Sequence, residues 1–495
     1  MYLLVENASH LHSQLESYIQ VLYFYTVVLF ALYFHLEIYL MYRFASCICV
    51  VSVLFGGSAL ADGHVYSDFP VTVKGYDGSK TSSVSYTGQI ARHVLHDSIK
   101  KLAGNGTENT KSSTLIEKEM LLYFSEKDDG RKIIAPISNK DFPILQKIVD
   151  DISGGKNLSS KSYSGQITGM PGNMTGAELV EFWINKASRV EGGVDLHTGY
   201  NYPQLISKFI MGAVSYNQAV DNYLDEKLGA DTKPNNEPYK DGAAYTGKEH
   251  VWDEGFGYFG APAHTMGLTA KQVYEIAKLG SKSKDAADAL SYADNNKDGQ
   301  VDLRTEMVFG PAYYAASFDK GGKTTYLHNI MGAFLEGRKV ITAANGEKLT
   351  DSERDQLVTL AATISSNWEA VLAEATFKYA GSVYKDMAAI EKALEAGEST
   401  AKATSNYIKH WGELKGFSLS LQMGKQNLGG VAARINRLVD YGPLLPNLSQ
   451  VVDIDSKDNS LVFWHCGLAP ISMSKKKEAS ADVHSNRRKP LLHNF

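Results

Sequence analysis

The feature that most constrains the fold of this chain is a repeated apolar stripe at helical spacing. The stretch QIARHVLHDSIKKLA, which begins at residue 89, carries its large apolar side chains at intervals of four, one, four and three residues. These intervals place them on one face of an α-helix. Similar runs are found at 115–125, 140–153, 176–189, 203–228, 269–279, 284–293, 325–343, 351–379, 383–396 and 402–423. Strand-like alternation is scarce after residue 85, so the sequence predicts an all-α fold of antiparallel helical bundles after an extended segment at 62–85.

Two internal echoes indicate that the bundles are related halves. The tetrapeptide IMGA at 210–213 recurs at 330–333, and EHVWDEGFG at 249–257 is echoed by KHWGELKGF at 409–417. Both echoes keep the same order, which a duplicated helical half would explain, although coincidence is the alternative. We therefore predict a first half at 62–245 and a second half at 246–455.

The two ends of the chain differ from this body. Met41 to Ala61 has the charged start, apolar middle and Ala-Leu-Ala ending of a secretory signal peptide, which would make residues 1–40 an over-extended start. A retained membrane anchor at 18–60 is the alternative. The basic, aperiodic residues 456–495 predict a disordered tail. These features predict an exported protein, either periplasmic or extracellular. Its body at 62–455 contains no cysteine for a disulfide or a thiol nucleophile.

Charge and motifs exclude several functions. The formal net charge is −5, from 50 basic and 55 acidic residues, and gives no reason to expect a nucleic-acid partner. The sequence contains no zinc-protease motif, Walker loop, dinucleotide fingerprint or serine-hydrolase elbow. Contact with a membrane is expected only through the N-terminal segment, if it is uncleaved.

The clearest chemical motif is DNNKDGQVDLRTE at 294–306, which is typical of a calcium loop over its first nine positions. Calcium requires several hard oxygen ligands in a compact loop, and Gly299 supplies the sharp turn. The expected ligands are Asp294, Asn296, Asp298, Gln300 through its carbonyl, Asp302 and Glu306. The loop departs from the EF-hand pattern because Thr305 is at position twelve and Glu306 is one residue late. A polar turn without an ion is the alternative.

Two clusters could form a second metal or ligand site. The first comprises His250, Asp253 and Glu254 in GKEHVWDEGFGYFG, where a solvated polar face is the alternative. The second comprises His410 and Glu413, which share an apolar stripe and must bond to each other or bind a ligand, because burying them unpaired costs roughly 1–3 kcal/mol. His–Glu pairs on facing helices can make a metal site in a bundle core. Related halves would allow the two clusters to converge.

Four stretches carry a family resemblance: VSYTGQIARHVL (84–95), QLISKFIMGAVSYNQAVDNYL (204–224), GKEHVWDEGFGYFG (247–260) and HWGELKGFSLSLQ (410–422). Together they resemble a bacterial secreted family described as domain of unknown function 4856, over roughly residues 65–450, and that family implies no established activity. More remotely, the predicted arrangement of two helical halves is similar to that of the imelysin proteins, which are exported, all-helical and tied to iron uptake. Their Gly-x-His-x-x-Glu signature is matched only in part here, and the resemblance implies a site at His250, Asp253, His410 and Glu413.

The sequence therefore predicts an exported helical protein that binds a metal, such as iron, or a small ligand between two bundle halves, stabilised by one calcium ion. A metal-dependent hydrolase or peptidase-like enzyme is the second hypothesis, with a histidine as ligand and Glu254 or Glu413 as base. A structural surface protein stabilised by calcium is the third hypothesis. We expect calcium and an iron or other transition metal as cofactors, and we leave enzymatic activity open while favouring binding.

Overall fold

Helices dominate the residues that the computed structural model describes, which are 65–106, 112–229, 231–278, 286–424 and 428–444. The α-helices are α1 (Thr87–Ala103), α2 (Ser113–Phe124), α3 (Gly176–Ala187), α4 (Tyr202–Ile210), α5 (Gly247–Phe259), α6 (Ala270–Lys278), α7 (Ala286–Ala293), α8 (Gly310–Asp319), α9 (Tyr326–Ala343), α10 (Asp351–Glu395), α11 (Ala401–Ser420) and α12 (Leu428–Val439). A π-helix, Met211–Glu226, continues α4. One short sheet pairs β1 (Val194–Asp195) with β2 (Tyr200–Asn201) in antiparallel fashion, and 3-10 turns occur at Val149–Asp151, Ser159–Lys161, Thr265–Gly267 and Leu421–Met423.

Local chemistry fixes several helix starts. Thr175, Thr246 and Thr350 each accept a hydrogen bond from the third residue of the following helix, while the Glu at that position bonds back to the threonine N–H. This reciprocal arrangement satisfies backbone donors that a helix start leaves open. At the other end of α5, Gly260 adopts a left-handed backbone at φ 72°, and a Cβ there would lie 2.8 Å from Nε2 of His93. Glycine therefore ends α5 where α1 passes close by.

The helices enclose a single apolar core. The principal packing partners are α10 with α11, α9 with α10, α11 with α4, and α5 with the π-helix. Trp183, Trp252 and Trp368 are fully buried among them. The predicted all-helical class is confirmed for the described residues, and residues 65–86 form no helix, as expected of the extended segment. The division at 245/246, the duplication and the bundle arrangement stay predictions.

Two helix assignments from the sequence were wrong. The predicted helix at 140–153 is an extended segment with one 3-10 turn. Phe142, Ile144 and Gln146 are buried while their neighbours are more exposed, and Ile144 pairs with Val301 in an isolated bridge. This burial period of two is that of extended backbone. The runs predicted at 351–379 and 383–396 form the single helix α10, which continues through Gly381 without a break.

The predicted signal peptide at Met41–Ala61 and the predicted disordered tail at 456–495 lie outside the described residues. Within the described residues, no helix is both long enough and apolar enough to cross a membrane.

Candidate functional site: a lysine-lined cavity

The first predicted cluster does not form one site, because its carboxylates have different partners. Asp253 lies in the core, where Nε of Arg338 is 3.0 Å from its Oδ1 and the Tyr66 hydroxyl donates a hydrogen bond of 2.9 Å. Nη1 of Arg338 lies 3.0 Å from Oε1 of Glu249, and the arginine and both carboxylates are completely buried. Burial raises the pKa of Asp253 to about 6, and the guanidinium opposes that rise. Asp253 therefore belongs to a buried ion network.

His250 and Glu254 lie on the outer side of α5. Nε2 of His250 is 3.6 Å from Oε2 of Glu254, and Gln89 donates a 2.7 Å hydrogen bond to the other carboxylate oxygen. The imidazole lies against the rings of Tyr239 and Tyr245, with centroid distances of 4.1 and 4.7 Å. Burial lowers the pKa of His250. The arrangement is that of a neutral histidine packed between two aromatic rings.

The second predicted cluster lies elsewhere, on α11, and its two members do not bond to each other. Nδ1 of His410 is 2.5 Å from Oδ2 of Asp386 on α10, whereas Oε1 of Glu413 is 3.7 Å from Nζ of Lys208 on α4. Both side chains line a cavity of about 850 Å³ that none of His250, Asp253 and Glu254 reaches. Across the described ranges, no group of three or more His, Cys, Asp or Glu side chains is arranged to hold a metal ion.

The cavity combines many cations with aromatic rings. Its lysines come from five helices and one helix end: Lys100, Lys208, Lys278, Lys320, Lys378 and Lys409. Its tyrosines are Tyr274, Tyr313, Tyr314 and Tyr379. Among the described residues that line it, Asp97 and Glu413 are the acidic ones. Six lysines against two carboxylates give the cavity a formal charge of +4, although the whole chain carries −5.

The lysines form a deep pair and an outer group. Lys208 is 3% exposed, and Lys100 on α1 is half-buried beside it. The other four lysines are exposed at the rim. Of the rim lysines, Lys320 lies over the ring of Tyr274 at 3.5 Å from the centroid, and that ring stacks on Tyr313 at 5.5 Å. The cavity thus has a basic floor and an aromatic, basic rim.

Two further polar groups face this cavity. The hydroxyls of Tyr314 and Tyr379 are 2.9 Å apart, and burial together with the nearby Glu413 carboxylate raises the pKa of Tyr314. Both phenols are therefore neutral hydrogen-bonding groups at physiological pH.

Sequence reasoning missed this set of lysines because they are spread from residue 100 to residue 409. No motif links side chains that only packing brings together. One signal was present in YPQLISKFI, the sequence of α4, where Lys208 lies among the apolar residues Leu205, Ile206, Phe209 and Ile210. A buried lysine is uncommon and usually has a paired or functional role.

The loop at 294–306 has some features of a calcium loop. Asp294 accepts hydrogen bonds from the N–H groups of Asp298 and Gly299, and Gly299 has the left-handed φ of 81° expected at position six. Glu306 turns back to accept from the N–H groups of residues 295, 296 and 302. Asp302 is instead paired with Arg304 at 2.6 Å. The loop thus has the expected turn, and calcium binding by its expected ligands stays a prediction.

The described residues therefore define a mostly helical protein with a ligand-sized basic cavity. Residues 194–290 match the family model described as Domain of unknown function (DUF4856), which confirms the family resemblance over that segment. The match includes two of the four stretches that carried the resemblance, at 204–224 and 247–260. No curated protein and no solved structure matches the chain significantly. The more remote imelysin resemblance stays a prediction.

Proposed function

We propose that this protein binds an anionic small molecule in the lysine-lined cavity. The observation that carries the proposal is the convergence of six lysines on one cavity in a chain of net negative charge. Clustered like charges repel one another, and this cost is offset when an anion binds among them. A concave site lined by one sign of charge also raises the local concentration of oppositely charged ligands.

The size and lining of the cavity support a small organic anion. A volume of about 850 Å³ lies within the range of small-molecule sites. Tyr274 and Tyr313 offer flat apolar surface at the rim, while the deep Lys208 would contact the most strongly charged group of the ligand.

Isothermal titration of the full-length chain with citrate and with inorganic pyrophosphate tests the proposal. We expect binding that weakens with ionic strength, because the contacts are charged. Lys409→Met should weaken binding about tenfold, since one charge-assisted contact contributes roughly 1.5 kcal/mol or more. Lys402→Met is the matched control, because Lys402 is also exposed on α11 but does not line the cavity. Absence of binding by both anions, or equal loss in both variants, would contradict the proposal.

Calcium at 294–306 is proposed as a structural ion that stabilises this fold. The Asp294 turn and the position of Gly299 support this role, whereas the pairing of Asp302 with Arg304 leaves fewer oxygens for the ion. Titration of calcium into protein that has first been treated with a chelator tests this structural role.

Direct binding of iron or another transition metal finds less support than anion binding. The expected ligands are divided between α5 and the cavity, and Glu413 faces Lys208. A hydrolase that uses Glu413 as base stays an alternative, for which Glu413→Gln with assay of hydrolysis is the test. We also propose export through the segment Met41–Ala61, which N-terminal sequencing of the protein from its native cell would test.

A further inference from the structure

The floor of the cavity carries two lysine side chains in contact. Lys100 on α1 and Lys208 on α4 lie close enough for one amine to donate a hydrogen bond to the other. The two helices are held together by direct packing, including a 3.2 Å contact between Nε2 of His96 and Oγ of Ser207. Both amines are lining groups of the cavity. The proximity of the two lysines therefore follows from the fold, and both side chains are accessible to a ligand.

Two ammonium groups this close repel each other, so protonation of one amine disfavours protonation of the other. Lys208 has the better cation environment, because Glu413 lies 3.7 Å away and the Tyr314 ring is 5.4 Å from its Nζ. The Lys208 ammonium can then donate to the lone pair of Lys100. The adjacent Lys208 charge, together with burial, lowers the pKa of Lys100 to about 7, against the opposing influence of Asp97 and Glu413. Lys100 is thus the amine that is substantially neutral at physiological pH.

We propose that Lys100 is a nucleophilic amine that forms a reversible imine with an anionic carbonyl compound, such as a 2-oxo acid, bound in the cavity. The inference rests on the proposed function, since the surrounding lysines hold the anion. A lysine next to another cationic group is a recognised arrangement for this chemistry.

The step balances without an oxidant or a reductant. The Lys100 nitrogen forms a bond to the carbonyl carbon, and the carbonyl π electrons become a lone pair on oxygen, which takes a proton. The carbinolamine then loses water as the nitrogen lone pair forms the C=N bond. Asp97, one helical turn before Lys100, is the nearby carboxyl that can deliver the proton to the departing oxygen, because burial raises its pKa to about 6. Hydrolysis reverses the step.

Reductive trapping tests the inference. The full-length chain is incubated at about pH 7 with glyoxylate and cyanoborohydride, and peptide mapping then measures the rate of carboxymethyl addition at each lysine. An amine of pKa near 7 has roughly a thousandfold more neutral form at this pH than an ordinary lysine. Because a weaker base is also a weaker nucleophile, we expect Lys100 to react about tenfold faster or more than Lys402.

Three variants separate nucleophilicity from mere accessibility. Lys100→Arg should abolish the fast labelling. Lys208→Met should raise the pKa of Lys100, slowing its labelling at pH 7 and restoring it above about pH 9. Cooperative urea unfolding of this variant shows separately that it is folded. Lys402→Met should leave the rate at Lys100 unchanged. Labelling of Lys100 at the rate of surface lysines, or a rate unaffected by Lys208→Met, would overturn the inference.

Protection by pyrophosphate distinguishes this inference from the proposed function. Fast labelling that pyrophosphate slows supports both. Calorimetric binding of pyrophosphate without fast labelling overturns the imine but leaves anion binding standing. Fast labelling that no anion affects supports the nucleophile and contradicts the anion site, whereas neither binding nor fast labelling overturns both.

Discussion

Replacing Arg338 by leucine should destabilise the protein strongly at neutral pH and much less at acidic pH. The guanidinium is fully buried and contacts Glu249 and Asp253 at 3.0 Å each. It also donates to the hydroxyls of Ser83 and Thr342. Leucine would leave two carboxylates inside the core without a counter-charge.

The expected magnitude follows from this geometry. Removing one partner of a buried ion pair typically costs about 3–5 kcal/mol, because the remaining charge is uncompensated. Asp253 already has its folded pKa raised from 3.8 to about 6, so its contribution to stability falls as pH rises through that window. Without Arg338, which lowers this pKa, the carboxyl becomes harder to ionise and the loss at neutral pH grows. At about pH 5 the variant can keep Asp253 protonated, and much of the penalty disappears.

Urea unfolding at about pH 7.5 and pH 5 measures the effect on the free energy of unfolding. Lys339→Met is the matched control, because the neighbouring Lys339 makes only an exposed ion pair with Glu336, which contributes less than about 1 kcal/mol. A loss below about 1 kcal/mol in Arg338→Leu at neutral pH, or an equal loss at both pH values, would refute the reasoning.

Two other substitutions test the packing and the loop. Gly337→Ala would place a Cβ 2.0 Å from Cζ2 of Trp252, so we expect a loss of about 1–3 kcal/mol in thermal or urea unfolding. Gly332→Ala on the same helix meets only a methionine methyl at 3.9 Å and should be neutral or slightly stabilising; equal effects would contradict the assigned packing. Calcium should raise the midpoint of thermal unfolding of the wild type, and Asp294→Ala should remove that rise. An identical calcium response in both proteins would exclude the loop as the site.

Periodicity predicted most helices because burial of one helix face is a local property of the sequence. The stripe in 89–103 became α1, Thr87–Ala103, nearly residue for residue. The same reasoning failed at 140–153, where six large apolar residues suggested a helix but the segment is extended and Ile144 pairs with Val301. Val301 lies far along the chain, so no local sequence pattern indicates this pairing.

The site was only partly visible from the sequence for a related reason. His410 and Glu413 were conspicuous because they are polar groups on an apolar helical face, and the structure brings both to the cavity. Their partners, Asp386 and Lys208, come from other helices, so their pairing could not be inferred from spacing. Arg338 offered a comparable signal, as a cation on the apolar face of α9. Counting polar residues on apolar helical stripes, rather than searching for metal-ligand spacing, would have found Lys208 and Arg338 together.

The extent of the family match bears on how the cavity is built. Residues 194–290 contribute Lys208, Tyr274 and Lys278 to the cavity, and Glu249 and Asp253 to the buried network. Their counterparts come from outside the matched segment: Lys100 faces Lys208, and Arg338 neutralises the two carboxylates. The matched segment alone would bury two carboxylates without a cation and would lack four of the six cavity lysines. The cavity is therefore composite, and the proposed binding would depend on α1, α10 and α11 as much as on the segment that carries the family resemblance.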